Sequence, residues 1–140
     1  MSGNSFLSCC TSLNSFYTHG LGALTIIGNR CFFGCSALAT FDTSGLTSVT
    51  RIGKSFLACC SALTSFKTNG LTSVTTIGSN FLNNCSALTS IDTSGLTALI
   101  RIDDGFLDKC PSLTAVDARE QLVMIQKSDA PRLSLTCNSV

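Results

Sequence analysis

Cysteine is the residue of this sequence with the widest range of chemistry, because thiolates bind metals, act as nucleophiles and form disulfides. The chain of 140 residues contains nine cysteines and one histidine, His19. Five of the cysteines recur every 25 residues, an interval that we call the repeat step. They therefore occupy the same position in five repeated units and do not surround a single reaction centre. These five are Cys10, Cys35, Cys60, Cys85 and Cys110.

Neither a zinc site nor a cysteine nucleophile fits these spacings. Zinc needs four ligands that converge on a tetrahedral point, usually through paired C-x-x-C spacings, and the sequence has no such pair. A cysteine nucleophile needs a histidine that is oriented by a third group, and no partner for His19 stands out. We therefore expect no metal, no cofactor and no catalytic residues, and we predict that the protein is not an enzyme.

The five periodic cysteines are predicted to form a buried column of free thiols. Stacked units would bring their Cα atoms within disulfide range, but in-register side chains point the same way and an odd number cannot pair fully. A free cysteine also behaves as a small buried apolar residue. Other residue types replace Cys9 and Cys59 in the remaining units, so we expect that position to be exposed and unconstrained. The redox state of Cys9, Cys31, Cys59 and Cys137 is left open.

Polar residues form two further columns at the repeat step, and these are the candidate partner-binding residues. If neighbouring units pair as parallel strands, Lys67 lies between Asp42 and Asp92. Each of these exposed ion pairs would stabilise the fold by less than about 1 kcal/mol, so the charges are equally compatible with a surface that serves only solubility. Asp92 and Asp117 are like charges on neighbouring strands, and we hypothesise that they meet a cation or a basic group of a partner. The columns comprise Tyr17, Asp42, Lys67, Asp92 and Asp117, with Ser15, Thr40, Ser65 and Ser90 beside them.

Apolar residues at the same step indicate the elements that position these columns. A repeat of roughly 20 to 29 residues with leucine at fixed positions is typical of leucine-rich repeats, which stack as a solenoid. Two glycine columns and a column of phenylalanine, isoleucine and valine keep the same register. The leucine column is Leu13, Leu38, Leu63, Leu88 and Leu113.

A single repeated unit is too short to bury its own apolar side chains, so stacked copies must cover one another. Strand alternation places Phe41 and Thr43 inside, and Thr40 and Asp42 outside. Gly45 is predicted to form a corner that needs either a positive φ or a close backbone approach. The expected fold is a β-rich solenoid, a right-handed leucine-rich-repeat coil of about five 25-residue units with a parallel sheet on one face.

The composition narrows the classes of function. Charged residues make up 12% of the chain, about half the usual share, and the net charge is +1. A nucleic-acid-binding protein normally presents a basic face, so we expect no nucleic-acid partner. No apolar run approaches the length of a membrane-spanning helix and the start lacks the features of a secretory signal, so we expect no direct membrane insertion.

The segment 52–66, which reads IGKSFLACCSALTSF, resembles the BspA-type leucine-rich repeat. The motif of that family is similar to I-G-x-x-A-F-x-x-C-x-x-L-x-x-I, and the likeness extends over most of the chain. Phe56-Leu57 departs from the family's Ala-Phe. The resemblance implies a surface antigen that acts in adhesion or host interaction, and hence a location at the cell surface, although no signal peptide or anchor is recognisable. It implies no particular ligand.

The predicted domain boundary follows the end of the repeat. We expect a solenoid over residues 1–118, with units near 1–25, 26–50, 51–75, 76–100 and 101–118, followed by an irregular cap over 119–140. A helix that begins at Asp117–Glu120 and a buried strand at Leu122–Ile125 are the alternatives for the cap. The first unit has no polar cap, which indicates either a fragment of a longer chain or a first coil that contacts another chain.

The expected function is protein binding or adhesion through the open sheet, with a partner of unknown identity. A structural alternative is a self-assembling repeat segment, in which the first coil stacks end to end on another copy through Phe6 and Leu7. The third possibility is a fragment of a longer surface antigen without independent function.

Overall fold

Each repeated unit contributes two strands of two or three residues, and turns join them. A computed structural model of the chain describes residues 1–117, in which all strand pairs are parallel. The strands are β1 (Ser15–Phe16), β2 (Ile26–Ile27), β3 (Thr40–Phe41), β4 (Arg51–Ile52), β5 (Ser65–Lys67), β6 (Thr76–Ile77), β7 (Ser90–Asp92), β8 (Arg101–Ile102) and β9 (Ala115–Asp117).

The first side of the molecule contains the strands of the sheet that the sequence predicts, in two hydrogen-bonded groups that we together call the first sheet. β1 pairs with β3, and β5 pairs with β7 and β7 with β9, whereas β3 and β5 are in contact without belonging to the same hydrogen-bonded group. The register joins residues one repeat step apart, as in Phe66 opposite Ile91. Phe41 and Thr43 are buried, whereas Thr40 is exposed and Asp42 half-buried, so the predicted alternation is confirmed. The chain is a β-rich repeat solenoid, and its handedness stays a prediction.

A second parallel sheet lies on another side and was not expected from the sequence. It has the strand order β2-β4-β6-β8, again with partners one repeat step apart, such as Ile52 opposite Ile77. In β2, β4 and β8 the first side chain is exposed and the next is buried, as with Arg51 and Ile52, whereas Thr76 at the start of β6 is half-buried. A strand this short gives too little alternation to be recognised within one unit.

The third side has an unusual backbone, in which every second residue takes a left-handed conformation. Arg30 and Phe32 both have a φ of 59°, and the same alternation recurs in the other units. A left-handed conformation costs an ordinary L-residue about 1 kcal/mol or more. The cost is offset because this backbone bonds to both neighbouring units: the Arg30 N–H donates to the Lys54 carbonyl at 2.7 Å and the Phe32 N–H to the Phe6 carbonyl at 2.9 Å.

The three sides enclose a core of stacked identical columns. Leu38, Leu63 and Leu88 are fully buried, as are most members of the other apolar columns. Phenylalanine rings contact one another from unit to unit, with Phe81 and Phe106 stacked at a centroid distance of 5.3 Å and an interplanar angle of 6°. Burial of this kind is the main stabilising contribution, because no unit has a core of its own.

Buried threonines join successive units at one corner. The Thr68 hydroxyl donates to the Asp92 carbonyl and accepts from the Gly95 N–H, each at 3.0 Å. Gly45 does not have a positive φ; a Cβ on it would overlap the carbonyl of Thr18 in the preceding unit. Of the two reasons offered for glycine at this corner, the close backbone approach is therefore the correct one. The threonine column is Thr18, Thr43, Thr68 and Thr93.

Candidate functional site

The first sheet carries the predicted outward residues side by side, and we call this row the polar face. Lys67 lies opposite Asp92, and Asp92 opposite Asp117, in the strand register. Tyr17 is 57% exposed, and its ring stacks on His19 at a centroid distance of 6.3 Å. The polar face consists of Tyr17, Asp42, Lys67, Asp92 and Asp117, flanked by Ser15, Thr40, Ser65 and Ser90.

Two aspartates of the polar face also close the turn that follows their strand. Asp42 accepts a hydrogen bond from the Ser44 hydroxyl at 2.7 Å, and Asp92 accepts one from the Ser94 N–H at 2.9 Å. The hydrogen bonds from Ser94 lower the pKa of the Asp92 carboxyl, and the charge of Lys67 contributes in the same direction. These carboxylates therefore have a local structural role in addition to any contact with a partner.

Replacing Ser94 by alanine should raise the pKa of Asp92, because the hydroxyl that stabilises the ionised carboxylate is lost. A pKa that is lower in the folded state contributes stability above the unfolded pKa, and this stability is lost as the pH falls through the folded pKa. The Ser94→Ala variant should therefore lose less stability than the wild type as the pH falls. An NMR titration of the Asp92 carboxyl checks the shift, and an unchanged midpoint contradicts the assignment.

The periodic cysteines line the core as free thiols: Cys35, Cys60 and Cys85 are buried as predicted, whereas Cys10 and Cys110 at the two ends are half-buried. Four of these thiols each donate to a carbonyl of the preceding unit: Cys60 to Phe32 at 3.1 Å and Cys85 to Leu57 at 3.2 Å, for example. Phe32 and Leu57 have a positive φ, so the thiol provides a partner for the carbonyl of a left-handed residue. This hydrogen bond gives a physical reason for cysteine, and not simply a small apolar residue, at this position.

The other described cysteines have separate environments. Cys31 is fully buried at the position that phenylalanine occupies in other units. Cys9 is exposed and Cys59 half-buried, in partial agreement with the expectation for their position. That position is nevertheless constrained by its backbone conformation, because Cys9 and Cys59 have positive φ values of 59° and 62°. Cys137 lies outside the described residues. Within residues 1–117 no group of three or more histidine, cysteine, aspartate or glutamate side chains is arranged to hold a metal ion.

Alkylation of the native protein should modify Cys9 rapidly and leave Cys60 unmodified until the solenoid unfolds. The thiolate is the reactive form, and burial raises the pKa of the Cys60 thiol to about 12. A hydrogen bond with Cys110, together with burial, also raises the pKa of Cys85. Peptide mapping by mass spectrometry, with and without urea, checks the order of modification. Equal rates for Cys9 and Cys60 in the native protein would show that the column is open to solvent.

The second sheet presents a groove that the sequence did not lead us to expect, and we call it the basic groove. Its volume is about 520 Å³. Arg101 forms an ion pair with Asp103 at 3.0 Å, in which the arginine side chain is largely exposed and the aspartate side chain partly exposed. The sequence does contain a signal for this groove, because the residues that line it form one more column at the repeat step. The basic groove is lined along the sheet by Ile26, Arg51, Thr76 and Arg101, with Lys54 and Asp103 beside them.

The stacked parallel strands and repeated columns define a leucine-rich-repeat module, a class of protein that typically serves as a non-catalytic scaffold for binding. The family described as BspA type leucine rich repeat region matches residues 1–129 in six copies. The chain therefore belongs to the BspA-type leucine-rich-repeat family. No similar curated protein and no similar solved structure was found.

Three expectations concern the ends of the chain and the membrane. The boundary between residues 118 and 119 and the irregular cap over 119–140, including the alternatives of a helix and a strand, lie outside the described residues. Of the two residues that the self-assembly alternative places in contact with another copy, Phe6 is 36% exposed and Leu7 is partly buried against the core. In the part of the chain that the structure describes, no helix has the length and apolar character needed to cross a membrane.

Proposed function

We propose that this solenoid is a protein-binding module and that its contact surface is the polar face. The observation that carries the proposal is the strand register, which holds polar side chains one strand spacing apart on a rigid support. The inward residues of the same strands, such as Phe41 and Phe66, are 6% and 1% exposed. Adhesion is the form that this binding takes where the partner is fixed to another cell.

The polar face contains residue types that suit protein contacts. Tyr17 is an exposed aromatic residue, and tyrosine is among the residues that contribute most at protein interfaces. Lys67 and the neighbouring aspartates supply charges of both signs on one surface, which supports selection of a partner by complementary charge. Ser65 and Lys67 are exposed as well, so a partner can reach the middle of the row.

We also propose that the protein is not an enzyme. An active site needs a concave pocket in which several polar groups converge. Among residues 1–114 the interior is filled by the apolar and thiol columns, most of whose members are less than 2% exposed. The basic groove is open, and its charged side chains follow the strands instead of converging on one point.

A photo-crosslinking amino acid placed at Ser65 tests the contact surface. It should capture a specific protein in cells that produce the chain, and Asp92→Arg should abolish the capture because it reverses a charge on the neighbouring strand of the polar face. The matched control places the crosslinker at Thr72, an exposed residue of a turn outside the first sheet. Equal capture from both positions, or capture that survives Asp92→Arg, contradicts the proposal.

A further inference from the structure

The polar face and the basic groove have complementary series of side chains, spaced by the same repeat. The first four residues of this column on the polar face are Tyr17, Asp42, Lys67 and Asp92, and along the groove they are Ile26, Arg51, Thr76 and Arg101. Successive members of each column belong to successive units, so both columns have the same axial spacing, about 4.8 Å per step. Asp42 and Asp92 of the face are two units apart, and so are Arg51 and Arg101 of the groove.

We propose that the polar face of one copy packs into the basic groove of a second copy, side by side and with the two solenoid axes parallel. This rests on the proposed function and names its partner. Lys67 would lie opposite the uncharged Thr76, so the alignment contains no like-charged pair. The aligned pairs are Tyr17 with Ile26, Asp42 with Arg51, Lys67 with Thr76, and Asp92 with Arg101.

The orientation follows from the apolar pair at one end. An antiparallel alignment can also match both aspartates with both arginines, because each charge pattern reads the same in either direction. It would, however, place Ile26 opposite the position of Asp117 and leave Tyr17 without an apolar neighbour. Tyr17 and Ile26 are 57% and 39% exposed, which is high for apolar side chains on the sheets, and only the parallel alignment covers one with the other.

The charged groups are able to make these contacts at little cost. Asp42 and Asp92 each accept hydrogen bonds from a serine, but a carboxylate has about four acceptor positions and can also receive an arginine. The ion pair between Arg101 and Asp103 has side chains that are 68% and 39% exposed, so exchanging it for a new partner costs little.

The contact is expected to be weak, sensitive to salt and open-ended. Four units span only about 15 Å of the axis, so the interface is small and transient. Each copy has both surfaces, and a head-to-tail contact of this kind joins copies into a lateral row or a ring, not a closed two-fold dimer. Exposed charges are screened by salt, so association should weaken as the ionic strength rises.

Sedimentation velocity over a concentration series tests the proposal with the full chain. The wild type should associate at about 20 mM salt and dissociate at about 300 mM. One variant reverses the face (Asp42→Arg with Asp92→Arg) and another reverses the groove (Arg51→Asp with Arg101→Asp). Each alone should associate about tenfold more weakly or worse, and an equimolar mixture should recover association because reversed face then meets reversed groove.

Several outcomes overturn the pairing. A wild type that stays monomeric at low salt and high concentration ends the proposal without any variant. Association that is insensitive to salt, or that persists in either variant, contradicts it as well, and so does a mixture of folded variants that fails to recover. Tyr17→Ser should weaken association in the parallel alignment, and no effect would refute that orientation. If the wild type is monomeric while Ser65 still crosslinks a different protein, the proposed function stands and this inference falls.

Discussion

Replacing Gly70 by alanine should destabilise the solenoid by about 3 kcal/mol. A Cβ at this position would overlap the carbonyl group of Thr43 in the preceding unit and would lie 2.8 Å from the Cα of Ser44. These are backbone atoms, so no side-chain rotation relieves the overlap and the two units must separate locally. The Gly70 N–H also donates to the buried Thr43 hydroxyl at 3.2 Å, and the separation would weaken this bond.

Gly22→Ala is the matched control, because a Cβ there would have no heavy atom within 4 Å and its φ is not positive. Alanine at such a site should be neutral or stabilising by up to about 1 kcal/mol, since it reduces the conformational entropy of the unfolded chain. Urea denaturation of both variants measures the difference. Equal stabilities for Gly70→Ala and Gly22→Ala would show that the corner is not closely packed.

The close-packed corners at Gly45, Gly70 and Gly95 illustrate what a repeat makes predictable. Any residue type that recurs at one phase of the unit must satisfy the same environment in every copy, so columns identify the core before any contact is known. The buried cysteine column, the leucine column and the inward Thr43 followed from this argument, as did the strand that contains Phe41.

The parts that were missed are those where the backbone departs from a simple strand signal. The strand Arg51–Ile52 is too short for alternation to appear, and its partner Thr76–Ile77 is found only by comparison between units. The third side depends on left-handed residues such as Phe32 and Leu57, whose types favour no such conformation. Their φ values are imposed by hydrogen bonds to both adjacent units, which is a property of the stack and not of the local sequence.

The candidate site was predictable in position but not in its internal contacts. The order Tyr17, Asp42, Lys67, Asp92 is a direct consequence of the repeat step, and the register places Lys67 opposite Asp92. The hydrogen bonds from serines to the aspartates depend on turn geometry, which the spacing of the repeat does not specify. The basic groove was missed because the column that contains Arg51 lies on strands too short to be recognised, and so no predicted element carried it.

Thr68→Val should destabilise the solenoid by about 2 to 3 kcal/mol, although valine has nearly the same shape and is more apolar. The Thr68 side chain is fully buried, and its hydroxyl joins two groups of the next unit. The Asp92 carbonyl keeps a second bond, from the Thr68 N–H at 3.1 Å, but the Gly95 N–H loses the buried hydroxyl oxygen that accepts from it at 3.0 Å. A buried donor without a partner costs about 1 to 3 kcal/mol, and the lost hydrogen bond adds to this.

Two controls separate the hydroxyl from other properties of the threonine. Thr68→Ser keeps the hydroxyl and removes one methyl group, so it should cost only about 1 kcal/mol. Thr72→Val makes the same chemical change at an exposed position and should change stability by less than about 0.5 kcal/mol. If urea denaturation shows Thr68→Val to be as stable as the wild type, the threonine column does not clamp the units, and apolar stacking alone holds them together. If Thr68→Ser is less stable than Thr68→Val, the methyl group and not the hydrogen bonds explains why threonine recurs at this corner.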